Sequence, residues 1–248
     1  MLTEWTNQLD LRLTPPTRGG KREGAGRKKS KQPKHDAPHR SREEHVGRNP
    51  LHVVLRTLRE VPNLRRDDIH EALAKTLTKV GDRADTFRIV QISLQRNHVH
   101  LIVEAAHNAA LESGMRAFAI SFARRINGVL GRSGKVWAYR YHTTTLSTPT
   151  QTRNAIAYVL GNWRRHDEDD RDFNLVTAKI DPYSSALTFS GWDDVVRFRR
   201  PENYTVLPVS LARTWMLAKG WELAKKPIKT YDVPGPINRL AKRTKRTL

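Results

Sequence analysis

Asn97-His98-Val99-His100-Leu101-Ile102-Val103-Glu104 is the stretch on which the fold turns. Its apolar residues suit a pleated, half-buried surface, which reads as a β-strand. On a strand, alternate side chains share a face. His98, His100, Ile102 and Glu104 therefore project one way, and Val99, Leu101 and Val103 the other. Two imidazoles then stand about 6 to 7 Å apart at Cα on a rigid element. That suits a shared metal ion. It equally suits two partly buried histidines hydrogen-bonded on a sheet, since neutral imidazoles serve many roles. His-x-His alone leaves both readings open.

Outward from this strand, Gln95-Arg96-Asn97 is short enough to turn the chain straight back. The run Phe87 to Leu94 then forms an antiparallel hairpin with it. Leu51 to Leu58 reads as another strand. Between them, Asp67 or Asp68 caps an amphipathic helix carrying Ile69, Ala72, Leu73, Leu77 and Val80, which Gly81-Asp82 ends. After Glu104, Asn108 is the expected cap of a helix with the stripe Leu111, Met115, Phe118, Ala119, Phe122 and Ile126. Arg116, Arg124 and Arg125 lie off that stripe, where they contact phosphates or are simply solvated. Gly128, Gly131 and Gly134 mark a loop with Arg132 and Lys135. Val136 to Leu146 is expected to include a strand with Trp137, Tyr139, Tyr141 and His142. Its aromatics, interleaved with Arg140, can stack on bases, whereas Trp137 also suits the core.

A last helix opens at Thr148-Pro149-Thr150-Gln151, with a cap residue, proline at the first helical position and glutamine at the capping-box position. Ala155, Ile156, Val159, Leu160 and Trp163 form its apolar face. Tyr158 and Asn162, four residues apart, share one side at the edge of that face. Gly161 weakens this turn by about 1 kcal/mol relative to alanine.

The 248 residues, 38% of them hydrophobic, support one domain with a real core plus accessory segments. The net charge is +20, from 45 Lys and Arg against 25 Asp and Glu, which attracts polyanions, nucleic acid foremost. The chain has no cysteine, which excludes disulfides, thiolate zinc sites and cysteine nucleophiles. It has no run of 18 apolar residues, so no membrane helix is expected. With no export-signal pattern at Met1 to Trp5, the expected location is the cytoplasm, on the nucleoid. From Pro16 to Arg48, eleven basic residues face four acidic ones and apolar side chains are nearly absent. Residues 1–48 therefore read as a disordered basic arm, whose Arg27 and Lys28 can touch phosphates. Residues 49–166 read as the domain, and 167–248 as a partly ordered extension. The extension opens on the acidic cluster Asp167 to Asp172, read as a solvated linker, and closes on a basic tail, Arg239 to Arg246.

Taken together, several motifs resemble the single-tyrosine transposases of the HUH (His-hydrophobic-His) superfamily, and within them the REP-associated tyrosine transposase group. They are Gln95 to Glu104, the basic helix Gly114 to Asn127, Gly134-Lys135-Val136-Trp137-Ala138-Tyr139-Arg140-Tyr141-His142 and Asn154-Ala155-Ile156-Ala157-Tyr158-Val159-Leu160-Gly161-Asn162. The arm Gly19 to Lys28, Asp181 to Ala186 and Gly191-Trp192 are similar to one branch of that group. The resemblance covers about residues 50 to 166 plus the arm. It implies an α+β, ferredoxin-like domain with a four-stranded antiparallel sheet and packed helices. It implies cleavage and rejoining of single-stranded or hairpin DNA through a 5′-phosphotyrosine. By motif position, His98 and His100 would be metal ligands, Tyr158 the nucleophile and Asn162 the third ligand, for Mg²⁺ or Mn²⁺. Arg116, Arg124, Arg125, Arg132, Lys135 and Arg140 are the expected DNA contacts beside Arg27 and Lys28. Glu104 is expected to support the site rather than ligate. One tyrosine per chain acts alone on a hairpin or as half of a symmetric pair, so monomer and homodimer stay open. The alternative is a catalytically silent DNA- or RNA-binding protein on the same scaffold.

Overall fold

Three apolar runs with period-two alternation pair into a sheet, and a fourth short strand closes it. The computed structural model describes residues 44–81, 83–165, 180–196, 202–232 and 235. The strands are β1 (Leu51–Arg56), β2 (Phe87–Leu94), β3 (His98–Ala105) and β4 (His142–Thr145). Their order is β2-β3-β1-β4, antiparallel throughout. With α1 (Asp67–Gly81) after β1 and α2 (Asn108–Val129) after β3, this is the expected ferredoxin-like arrangement. A further helix, α3 (Pro149–Arg165), follows β4.

Strand alternation divides the interior into two cores. Val53, Leu55, Val99, Leu101 and Val103 pack with the apolar stripes of α1 and α2 on one face. Ile102 and Val90 pack with Ala155, Ile156, Val159 and Leu160 of α3 on the other. A β-bulge lies between Ile89 and Gln91, where the register to β3 shifts. The extra residue lets Ile89 and Ile92, three positions apart, both join the first core, while Val90 joins the second. Gly114 admits the close crossing of α2 over β2, since a Cβ there would lie 2.2 to 2.6 Å from the Phe87 ring.

Local chemistry departs from expectation at three places. The N-cap of α2 is His107, whose Nδ1 accepts from Ala110 N–H at 3.2 Å. The Asn108 carboxamide instead accepts from His45 N–H at 3.1 Å, a long-range contact that local reading cannot see. Before α3, Thr148 Oγ1 accepts from Gln151 N–H, but the Gln151 side chain reaches back to Ser147 N–H, one residue earlier than a capping box requires. The strand expected within Val136 to Leu146 is confined to His142–Thr145, and Trp137 forms only an isolated bridge to Thr57. Gly131 and Gly134, at φ of +59° and +92°, shape the loop before it.

The described parts of the extension fasten onto the domain through buried polar anchors. Asp181 receives Arg65 in a two-pronged ion pair, and Leu94 N–H donates to Tyr183 carbonyl, covering the free edge of β2. Ser185 Oγ bonds Gln91 Oε1 at 2.6 Å. Glu104, 1% exposed, pairs with Arg88 at 2.7 Å and accepts from Arg213 N–H, Thr214 N–H and Thr214 Oγ1–H. Its role is therefore to hold the extension. Along α3, Arg153 donates to the carbonyls of Lys226 and Pro227, and Arg164 to that of Thr230. Ile180, Ala186, Leu217 and Ile228 join the second core. Trp221 packs against that core, whereas Trp215 is 56% exposed. The basic arm up to Glu43, with Arg27 and Lys28, the acidic cluster and the final basic tail lie outside the described residues.

Removing one partner of a buried ion pair leaves the other charge stranded. Glu104→Ala is expected to destabilise the fold by about 3 kcal/mol in urea unfolding. It should also expose the segment around Arg213 to limited proteolysis while the α1–α2 side stays protected.

Candidate active site

The face of the sheet opposite α1 and α2 carries a line of imidazoles. β3 contributes His98, half-buried, and His100, 4% exposed. Their Nε2 atoms lie 3.0 Å apart, with the rings nearly perpendicular and 4.7 Å between centroids. Each ring is held from its other nitrogen. His98 Nδ1 is 2.8 Å from Asn97 Oδ1, and His100 Nδ1 is 3.0 Å from His52 Nε2. Asn97 Oδ1 can only accept, so it draws the proton of His98 to Nδ1. If His100 donates its Nδ1–H to His52, both facing Nε2 atoms present lone pairs.

His52 belongs to β1 and was missed in the sequence. Its signal was there: Leu51, Val53 and Leu55 alternate with His52, Val54 and Arg56, repeating the pattern of β3. Pairing sets His52 opposite Ile102 and Val54 opposite His100. His52 stacks on His100 with centroids 5.1 Å apart and planes 17° apart. Burial, with a smaller contribution from the nearby His142, pushes its pKa down to about 4. His52 is therefore neutral near pH 7 and able to accept a hydrogen bond. His142, exposed on β4, sits opposite Val54 in the same row as His100.

α3 brings the helical residues to this face. The Tyr158 ring meets His100 edge-on at 5.2 Å and His52 at 5.9 Å. One turn on, Asn162 is fully buried, and neither its Oδ1 nor its Nδ2 has a hydrogen-bond partner among the described residues. Burying a whole carboxamide unpaired costs about 1 to 3 kcal/mol per group, so such an atom calls for a ligand.

The donor set fits a small divalent ion. Adjacent corners of an octahedron with ligand distances of about 2.1 Å lie about 3.0 Å apart, the spacing of the two Nε2 atoms. Among the described residues, no group of three or more His, Asp or Glu is arranged to hold an ion. Asn162 Oδ1, buried and without a hydrogen-bond partner among the described residues, is an oxygen donor of the type such an ion takes.

The expected DNA contacts fall elsewhere. Arg116 and Arg124 are exposed and Arg125 half-buried on α2, across the sheet from the imidazoles. Arg132 is spent on its own loop, donating to Asn127 Oδ1 and Lys135 carbonyl, and Lys135 Nζ donates to Ala138 carbonyl. Arg140 is exposed beside Tyr139 in a groove of about 470 Å³ floored by Trp137. Trp137 is anchored by Nε1–H to Ala119 carbonyl.

Comparison with known proteins bears on this site directly. Residues 46–162 match the family model described as IS200-like transposase. No curated protein matches the chain. Among solved structures, the chain is similar to a REP-associated tyrosine transposase bound to a REP hairpin. The identity is 16% and the TM-score 0.43, over 56% of this chain and 82% of that one. It is also similar to a proposed transposase of Deinococcus radiodurans R1, at 19% identity and a TM-score of 0.34, over 49% of this chain and 90% of that one. No helix among the described residues is long and apolar enough to cross a membrane. Residues 46–162, which span the imidazole line, Tyr158 and Asn162, are thus the part of this chain that is similar to the IS200-like transposases.

Proposed function

We propose that this protein is a transposase that cuts and rejoins single-stranded or hairpin DNA through a 5′-phosphotyrosine on Tyr158, in the manner of the REP-associated group, with the help of Mg²⁺ or Mn²⁺. The observation that carries the proposal is a tyrosine edge-on to one of two facing imidazoles, with an orphaned buried carboxamide one helical turn beyond that tyrosine.

His98 Nε2, His100 Nε2 and Asn162 Oδ1 would hold the ion. When bound, it supplies Lewis-acid polarisation of a non-bridging phosphate oxygen and aligns the phosphate. Tyr158 Oη attacks phosphorus; the Oη–P bond forms and the P–O3′ bond breaks. The phenolic proton departs and the leaving 3′-oxygen gains one, so the products are a 5′-phosphotyrosine and a free 3′-hydroxyl. Because the phosphodiester is exchanged rather than hydrolysed, a 3′-hydroxyl can reverse the step without external energy.

The remaining residues position these groups. Asn97 fixes the His98 tautomer. His52, kept neutral by burial, accepts from His100 Nδ1–H and so turns the lone pair of His100 Nε2 toward His98. With His100, His52 also forms the wall against which the Tyr158 ring rests.

Incubation with hairpin oligonucleotides and Mn²⁺ should give a denaturation-resistant protein–DNA adduct. Tyr158→Phe should abolish it with DNA binding nearly intact; adducts that survive move the nucleophile elsewhere, and no adduct from the unaltered chain on any substrate leaves a binding protein. His52→Leu should lower Mn²⁺ affinity about 10- to 100-fold by calorimetry, the usual effect of losing an outer partner of a metal-bound histidine. Unchanged affinity removes His52 from the site.

His52 also ties stability to pH. In the unfolded chain it takes a proton near pH 6.5, whereas in the fold it resists until about pH 4. The unfolded state thus binds more protons between those values, and stability falls as pH drops from about 6.5 to 4, by up to about 3 kcal/mol. Urea unfolding across that window, with chelator present, should lose part of its slope in His52→Leu.

A further inference from the structure

Gln91, Ser93 and Gln95 carry the alternation of β2 through and just past its end, on the face that holds the imidazoles. All three are buried. Gln91 lies opposite Ile102, and Ser93 opposite His100. Gln95 faces His98 across a tight turn, its N–H donating to the His98 carbonyl at 2.9 Å. The extension satisfies the first two. Gln91 Oε1 accepts from Ser185 Oγ–H, and Ser93 Oγ–H donates to Asp181 Oδ2 at 3.2 Å. Gln95 Oε1 has no hydrogen-bond partner. Among the buried side chains of the described residues, it and Asn162 Oδ1 are the only oxygens left in this state.

The Gln95 carboxamide cannot be turned round to cure this. Asp181 is a carboxylate gripped by two bonds from Arg65, and it can only accept. It takes the one proton of Ser93 Oγ, so Ser93 accepts from Gln95 Nε2–H at 2.7 Å. With Nε2 spent there, Oε1 is directed away from Ser93. A flip would set Oε1 against a hydroxyl oxygen with no proton to give. A buried acceptor held open by so complete a set of supports is a place for a ligand.

We propose that Gln95 Oε1 is a further oxygen donor to the divalent ion, beside His98, His100 and Asn162. This rests on the reading above that the imidazole pair takes such an ion. The register brings the parts together. Residues directly opposite in an antiparallel pair have Cβ atoms about 5 Å apart. Gln95 is therefore a neighbour of His98, and its carboxamide, bonded to Ser93, lies back along the strand toward His100. His100 turns Nδ1 toward His52 on β1, so its Nε2 is directed away from β1, and β2 is the strand on that side of β3. Small hard cations take oxygen donors. Neutral ones suit this reaction, because imidazoles and amide oxygens add no negative charge and leave the full charge of the ion for the phosphate. The line Arg65–Asp181–Ser93–Gln95 also makes the extension a support of the site, since Asp181 belongs to it.

Mn²⁺ binding to the full chain, read by calorimetry without DNA, tests this alongside the urea midpoint of the ion-free protein. Gln95→Met keeps the length of the side chain and removes the oxygen. It should lower affinity about 10- to 100-fold, while the ion-free midpoint stays near that of the unaltered chain. Gln95→Glu puts a charged oxygen in the same place. It should raise affinity about 10-fold yet slow adduct formation at saturating Mn²⁺, since the charge of the ion is then partly cancelled. Ser93→Ala frees the carboxamide to turn and should cost a smaller factor than Gln95→Met. Unchanged affinity in Gln95→Met overturns the inference. So does weaker binding in both Gln95→Met and Gln95→Glu, the mark of a purely structural role. The failures are distinct. Mn²⁺ bound equally by the unaltered chain and by Gln95→Met removes Gln95 and keeps the ion; no Mn²⁺ bound by the unaltered chain removes both, and adducts formed without metal would still keep strand cleavage.

Discussion

Everything in this protein depends on the alternation of β3. Val99, Leu101 and Val103 are buried under α1 and α2, which fixes the register of the central strand. A slip of one residue would drive two imidazoles and Glu104 into that apolar core. The same register that satisfies the hydrophobic effect therefore aims His98, His100 and Glu104 at the opposite face. There the histidines meet β1 and α3, and the carboxylate meets the extension. The stability of one face and the geometry of the other are a single constraint seen from two sides.

What was legible in the sequence is what local spacing determines. The hairpin of β2 and β3, the apolar stripes of α1 and α2, and the Tyr158–Asn162 pair follow from periods of 2 and 3.6 within a few residues. The illegible parts are set by partners far along the chain. His52 reads as one histidine in an apolar strand until its ring is seen beside His100, 48 residues away. Asn108 has an ideal capping side chain, but His45, 63 residues upstream, claims it. Glu104 sits on the histidine face and could have been taken for a ligand, yet its bonds go to Arg88 and to residues 213 and 214. The arginines of α2 were readable as a basic helix. Which side of the sheet they occupy depends on the crossover after β3, which composition does not encode.

The polar economy of the two faces differs in kind. Glu104 and Asp181 are fully buried carboxylates, each matched to an arginine and to backbone or hydroxyl donors. They join segments and are satisfied. Asn162, one turn on from Tyr158, is fully buried, and neither polar atom of its carboxamide has a hydrogen-bond partner among the described residues. A fold able to pair its buried carboxylates this thoroughly leaves such groups open where something must bind.

The bonds from Arg153 and Arg164 to the carbonyls of residues 226, 227 and 230 have a mechanical consequence. They pin α3 near both of its ends, with the sheet on one side and the extension on another. A helix held like this is a fixed post. Under the chemistry proposed for Tyr158, the DNA end tied to that post stays where it was cut. Rejoining is then a matter of which free strand end arrives at a stationary phosphate, so the choice between resealing and exchange passes from the protein to the DNA.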